Sequence, residues 1–214
     1  MRITSTDDVA RLVALRCAPG RVADVRSLIA ESGILLRGHF QLQSGAHSEY
    51  FLRARGLTSR AEFLDAFAQE LLLLIKGHNS HAVVCPESAG FALGEAVARL
   101  AGIPITIVKT DINRRPTSEL RAGTITPGSS VLLVNDVATS GSSLLGLHRA
   151  VTTHGAVVQR ALTLAAIGTR ALKLTNDLRI TGTWLMEGLW PLSSRDSCEL
   201  CRQDVPLILS AELG

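Results

Sequence analysis

The stretch Val131-Leu132-Leu133-Val134-Asn135-Asp136-Val137-Ala138-Thr139-Ser140-Gly141-Ser142-Ser143 carries the residues whose types and order most clearly point to chemistry. Four apolar residues in a row suit a parallel strand covered on both faces. Asp136 is expected where that strand ends. Thr139 to Ser143 then supplies hydroxyls, and Gly141 leaves backbone N–H groups unobstructed. A helix expected over Leu144 to His154 aims its N-terminus at whatever the loop holds. Free N–H groups at a positive helix end make a phosphate site. A carboxylate beside a phosphate cradle would repel a bare phosphate. It fits a sugar phosphate, whose hydroxyls donate to the carboxylate while the loop takes the 5′-phosphate.

Two other segments offer complementary chemistry. Cys85-Pro86-Glu87-Ser88-Ala89-Gly90 reads as a tight turn feeding a helix, with small residues that let backbone amides approach a ligand. It contains neither GxGxxG nor GxxxxGK[ST], so neither a dinucleotide fold nor a P-loop NTPase is favoured. The segment Lys109 to Gly123 holds Lys109, Arg114, Arg115 and Arg121, offset by Asp111 and Glu119. Read as a structureless basic connection it is longer than most, which suits a lid that brings cations to a phosphate and excludes water. A solvated surface loop is the plain alternative.

Cys198-Glu199-Leu200-Cys201 has metal-type spacing, but one CxxC is half a zinc site and no second pair or His-x-x-x-His follows it. A zinc shared between chains would complete it. No metal ligand is assigned on sequence grounds. Cys17 and Cys85 look isolated.

The elements that must position these residues alternate. A helix is expected over Val22 to Ser32, closed by Gly33, then a glycine-punctuated turn over Gly38 to Ser48 and a strand over Glu49 to Ala54. Ser59-Arg60-Ala61-Glu62 fits a capping box for a helix to Lys76, whose run Leu71 to Ile75 is apolar on nearly every side and suggests burial between layers. Strands are expected at His81–Cys85, Ile103–Val108, Val157–Ala166 and Ile180–Met186, with a helix from the Pro86 turn to Leu100. Strand–helix alternation argues for an α/β fold with a mostly parallel sheet flanked by helices. Its ligands bind beyond the carboxyl ends of the strands.

Length and composition fit one domain spanning 1–214, with a full core. Mean hydropathy is +0.25, and no apolar run approaches a membrane span. The N-terminal segment carries Asp7 and Asp8 and no signal-like apolar stretch, so a cytoplasmic protein is expected. The net charge of +3 suits an anionic small ligand without demanding nucleic acid, and few aromatics leave no stacking platform for single strands. Arginines far outnumber lysines, which reads as genome composition more than function.

The Val131–Ser143 stretch resembles the phosphoribosyl-pyrophosphate (PRPP) motif of type I phosphoribosyltransferases: apolar strand, acidic pair, then Thr/Ser-Gly loop. Gly38-His39-Phe40-Gln41-Leu42-Gln43-Ser44-Gly45-Ala46-His47-Ser48-Glu49-Tyr50-Phe51 resembles the base-binding segment of orotate phosphoribosyltransferases. The tail Cys198 to Leu207 is similar to that of their Thermus-type bacterial subgroup. The resemblance implies the type I fold with a small hood, formed by about 20–55 and 168–209. It implies Mg²⁺-PRPP as donor, a nucleobase acceptor and a homodimer with a shared active site. It makes Asp136 the ribose-side acid and gives the 5′-phosphate to Thr139, Ser140, Gly141, Ser142 and Ser143. It gives the pyrophosphate to Glu87, Ser88, Ala89 and Gly90, with Lys109 reaching PRPP and Arg114 and Arg115 acting from the lid. Gln43, Ser44, Phe51 and Ala166 fall at the base.

The chain departs from that pattern in several places. Asn135 stands where the motif has its first acid, Asn113 where many relatives carry the lid lysine, and Ala89 and Gln43 where others carry lysines. The segment Ala165-Ala166-Ile167-Gly168 replaces an Asp-Arg that would meet an orotate carboxylate. Three functions are therefore carried forward: transfer of ribose-5-phosphate to orotate or an orotate-like base, a paralogue using another base, and a non-catalytic PRPP or nucleotide sensor.

Overall fold

The computed structural model describes residues 1–57, 60–77 and 79–213. In chain order the elements are α1 (Thr6–Leu12), β1 (Val13–Leu15), α2 (Val22–Ser32), β2 (Leu35–Gln41), β3 (His47–Leu52), α3 (Ala61–Leu74), β4 (Ala82–Pro86) and α4 (Phe91–Ala101). There follow β5 (Ile105–Thr110), β6 (Pro116–Ala122), β7 (Ser130–Ala138), α5 (Ser142–Thr153), β8 (Val157–Ile167), α6 (Arg170–Asp177), β9 (Thr181–Gly188), α7 (Glu199–Arg202) and β10 (Ile208–Leu209).

The main sheet runs β1-β9-β8-β7-β4-β5-β6. Its inner pairs are parallel, while β1 and β6 lie antiparallel at the two edges. Both faces are covered, which is why β4 and β7 are apolar at consecutive positions. Leu132 and Val134 join one buried cluster with Phe67, Leu71, Leu93 and Val97 from α3 and α4. Val131 and Leu133 join the other, with Leu144, Leu147 and Val151 from α5 and Ala171 from α6. This two-sided burial fixes the register of β7, since a one-residue slip would exchange its faces.

A second sheet, β10-β2-β3, sits apart from the first. Of the stretches expected to form a hood, 168–209 contributes β9 and α6 to the main body. The small sheet itself uses Leu35–Leu52 and Ile208–Leu209.

Several sequence expectations need correction. Gly38 to Ser48 is not one turn: β2 continues to Gln41, with an irregularity in its pairing between Arg37 and Phe40, and β3 already begins at His47. The long basic segment is not structureless, because Pro116–Ala122 pairs antiparallel with β5 as an edge strand. That strand has no buried residue, so its sequence shows no alternation to reveal it. Strand β7 extends to Ala138, so Asp136 lies inside the strand rather than at its end. In α3, Leu73 is exposed while Leu71 is fully buried, and the helix ends at Leu74. The expected capping residue Ser59 lies outside the described residues. Among the described residues no helix is long and apolar enough to cross a membrane.

Candidate functional site

At the carboxyl edge of the main sheet a cavity of about 710 Å³ opens between the body and the small sheet. Strand β7 delivers Asn135 and Asp136 to its wall, and the β7–α5 loop contributes Thr139, Ser140, Gly141, Ser142 and Ser143. Helix α5 therefore starts in the cavity wall. Its cap residue is Gly141, which offers no side chain to the N–H groups of the first turn. Those groups, with the hydroxyls around them, make an anion site. The Ser140 hydroxyl donates to Ser142 Oγ at 3.2 Å and accepts from the Ser142 N–H at 3.4 Å, which folds the loop on itself. Gly141 is favoured by its φ of +81°, and a Cβ there would crowd the Leu174 side chain of α6.

The two residues of the acidic position differ in setting. Asp136 is half-buried, lines the cavity and accepts from the Val137 N–H at 2.7 Å. Asn135 is buried; its Nδ2 donates to the Val137 carbonyl at 3.2 Å, while its Oδ1 is buried without a hydrogen-bond partner among the described residues. Gly90 makes this packing possible, since a Cβ there would lie 2.8 Å from Asn135 Oδ1 and 2.9 Å from Asn135 Cα.

The β4–α4 turn splits. Ser88 and Ala89 line the cavity, whereas Glu87 faces the hairpin: Glu87 Oε1 accepts from the Thr110 N–H at 2.8 Å, and Oε2 lies 3.8 Å from Arg121. Lys109 is not in the cavity wall; its ammonium sits 2.8 Å from Glu119 on the neighbouring strand. The Lys109 hydrogen bond and charge hold the Glu119 carboxyl below the usual carboxylate range.

Arg114 and Arg115 reach the cavity from the tip of the β5–β6 hairpin. Asp111 builds that tip: its carboxylate accepts from the Asn113 N–H at 2.9 Å and the Arg115 N–H at 2.8 Å. The tight turn leaves Arg114 at φ +60°, a region unfavourable for a side-chain-bearing residue. Across the cavity, Gln43, Ser44 and Phe51 line the small-sheet side. Ala166 does not; it is buried within β8, and Ile167 takes the wall position.

The structure also brings in residues that the sequence reading missed. Arg53, Arg170, Tyr50 and Trp190 line the cavity, with Ser210, Ala211 and Leu213 from the C-terminal segment. Arg170 opens α6 just beyond Gly168, so a cation stands close to where Ala165–Gly168 itself offers none. Arg53 Nε donates to the Leu213 carbonyl at 2.6 Å, a contact across 160 residues that no local pattern could signal. His39 and His47 lie against Cys198 and Cys201, the pair that spacing alone left as half a metal site.

The Phosphoribosyl transferase domain family matches residues 60–183. The chain belongs to the type I phosphoribosyltransferase family. It is 32% identical over 194 residues to an orotate phosphoribosyltransferase of Thermus thermophilus, covering 86% of this chain and 98% of that protein. Among solved structures, orotate phosphoribosyltransferase from Aeropyrum pernix aligns with a TM-score of 0.63 at 24% identity, over 74% of this chain and 90% of that one. UMP synthase of Leishmania donovani aligns with a TM-score of 0.67 at 17% identity, over 76% of this chain but 35% of that longer one. Those two likenesses establish the fold. As a member of its family this phosphoribosyltransferase is a transferase whose donor chemistry is PRPP-dependent. The family match runs from the start of α3 into β9 and leaves out the small sheet.

Proposed function

We propose that this phosphoribosyltransferase moves the ribose-5-phosphate group of PRPP onto a ring nitrogen of orotate or a closely similar carboxylated base. A C1–N bond forms, the C1–O bond to pyrophosphate breaks, pyrophosphate leaves with its electron pair, and the ring nitrogen gives up its proton to solvent or to the departing pyrophosphate. One observation carries this reading. Asp136, the uncapped start of α5 and the small-sheet residues Gln43, Ser44 and Phe51 all face one cavity. Such a cavity holds a sugar phosphate at one end and a flat acceptor at the other.

In this reading the loop from Thr139 to Ser143 holds the 5′-phosphate, and Asp136 accepts from ribose hydroxyls and offsets positive charge developing at C1. Ser88 and Ala89 form the pyrophosphate turn with Gly90, which must stay small to clear Asn135. Glu87 and Lys109 act one step back, anchoring the hairpin that presents Arg114 and Arg115 to the leaving group. Arg170 and Arg53 are the cations nearest in kind to what a base carboxylate needs.

The donor set suits a magnesium ion carried by the substrate. Asp136 is the one carboxylate among the described cavity-lining residues, and it is joined by hydroxyl oxygens. A hard cation with few protein ligands keeps its waters and binds mainly to phosphate oxygens. Bound there, Mg²⁺ would neutralise the charge of the departing pyrophosphate, with Asp136 the side chain placed to hold it.

Asn135 favours a second reading. An amide replaces a charge at the ribose end, which supports a paralogue for another base or a sensor that binds PRPP without turning it over. Pyrophosphate release from Mg²⁺-PRPP across a panel of bases separates these. Release with orotate is expected. Release only with uncarboxylated bases supports the paralogue, and saturable PRPP binding with no release supports the sensor. Absence of PRPP binding overturns all three.

A further inference from the structure

The four residues His39, His47, Cys198 and Cys201 come from opposite ends of the chain, yet their ligand atoms lie within 4.8 Å of one another. His39 occupies the irregular stretch of β2, His47 opens β3, and the cysteines bracket the start of α7. His39, His47 and Cys198 are buried. We propose that these four side chains form a structural Zn²⁺ site that ties the C-terminal segment to the small sheet, separate from the phosphoribosyl cavity.

The geometry is that of a ligand set. His39 Nε2 is 3.0 Å from His47 Nδ1 and 3.5 Å from each cysteine sulfur, and Cys201 Sγ is 3.3 Å from His47 Nδ1. A tetrahedral zinc with ordinary Zn–N and Zn–S bonds requires N···N near ~3.3 Å and N···S near ~3.6 Å. These four edges lie within a few tenths of the tetrahedral values, and all the ligand atoms fall within 4.8 Å of one another.

The proton inventory points the same way. His39 Nδ1 lies 2.8 Å from the Val205 carbonyl. A carbonyl only accepts, so Nδ1 carries the proton and Nε2 presents a bare lone pair to the centre of the cluster. This carbonyl–histidine arrangement is the outer support that metal-bound imidazoles commonly have. His47 Nε2 is buried without a hydrogen-bond partner among the described residues, so the bonding of that ring rests on Nδ1. Converging lone pairs, with His39, His47 and Cys198 buried and Cys201 partly so, call for a cation at their centre. Two imidazoles and two thiolates select zinc over the hard cations that carry phosphates.

The site has a structural consequence. Nine residues after Cys201, Ser210 begins the turn that contributes Ser210, Ala211 and Leu213 to the cavity wall. Strand β10, a two-residue pairing with β2, is too short to hold that segment by itself. A metal clamp immediately before it closes the loop between the chain's two ends.

The test uses the full chain purified without a polyhistidine tag. Elemental analysis is expected to give about one zinc per chain, and Cys198→Ser with Cys201→Ser is expected to reduce it to under about a tenth. Chelation is expected to lower Tm by about 10 °C, with recovery on adding Zn²⁺, as loss of a tightly bound ion requires. Because the double variant risks misfolding, the wild-type chain is also stripped and loaded with Co²⁺. Thiolate-to-cobalt charge-transfer bands with tetrahedral d–d absorption are expected. A wild-type chain that holds no zinc either as purified or after Zn²⁺ incubation overturns the proposal. So do iron in place of zinc, unchanged metal content in the double variant, a cobalt spectrum without thiolate bands, or a Cys198–Cys201 disulfide in the freshly purified chain.

Discussion

Gln43 Nε2 donates to the Asn113 carbonyl at 2.7 Å and so joins the small sheet to the tip of the β5–β6 hairpin over the cavity. The two residues lie in the β2–β3 and β5–β6 turns, whose strands belong to different sheets, and are 70 positions apart. The bond brackets the backbone that presents Arg114 and Arg115. Gln43→Ala is expected to lower kcat/KM about fivefold, the value of one exposed hydrogen bond at ~1 kcal/mol. Tm should not move. Steady-state kinetics at varied PRPP and base check this; unchanged kinetics would detach the hairpin from the roof of the site.

Asp136 is the carboxylate of the cavity wall, and it lies on a strand held by both neighbours. Asp136→Asn is expected to reduce turnover about 100- to 1,000-fold, the usual cost of removing one preorganised transition-state contact. Pyrophosphate release measures it, with Tm as the control for folding. Kinetics like the wild type would remove Asp136 from the chemistry.

Arg114 and Arg115 approach the cavity on a turn that Asp111 stabilises. Replacing both arginines with alanine is expected to slow pyrophosphate release about tenfold or more, as loss of charge-assisted hydrogen bonds implies. Single-turnover and steady-state rates together locate the step. Equal rates in variant and wild type would leave the hairpin without a role.

Asn135 donates to the Val137 carbonyl from a buried position beside Gly90. Asn135→Asp removes that donor and sets a carboxyl oxygen against a carbonyl. The expected cost is about 2 kcal/mol, or roughly 5 °C in Tm. Thermal melts at neutral pH read it directly, and a variant as stable as the wild type would show that the pocket tolerates charge.

Cys85 is fully buried in β4, and burial pushes its thiol up to about 12. An unfolded cysteine ionises near ~8.5, so above that pH the unfolded chain sheds a proton that the folded chain keeps. The Cys85 contribution is fully present below the unfolded value and is lost as pH rises toward the folded one. Wild-type stability should therefore fall more steeply between about pH 9 and about pH 11 than that of Cys85→Ala. Parallel denaturant titrations of the two chains across that range test it.

Residues near one another in sequence made much of this protein legible. The apolar run of β7 followed by Asp136 and the Thr139–Ser143 loop already pointed to the strand, loop and helix start that line one cavity, because all the parts lie within one strand–loop–helix unit. The same local logic gave the Val22–Ser32 helix and the strand-and-helix alternation of the body. It failed for β6, an edge strand whose residues are at most half-buried, since hydrophobic periodicity records burial and no β6 residue is fully buried.

Tertiary structure alone decided what distant residues do together. Folding sets Arg170 and Arg53 in the cavity wall, places the Gln43 amide under the Asn113 carbonyl, and turns Lys109 toward Glu119 and away from the cavity. It also brings His39 and His47 to Cys198 and Cys201 across about 160 residues. The physical reason is common to all of these. Backbone pattern and hydrophobic period are written locally, whereas which polar side chains converge depends on sheet order, strand register and how the C-terminal segment closes on β2.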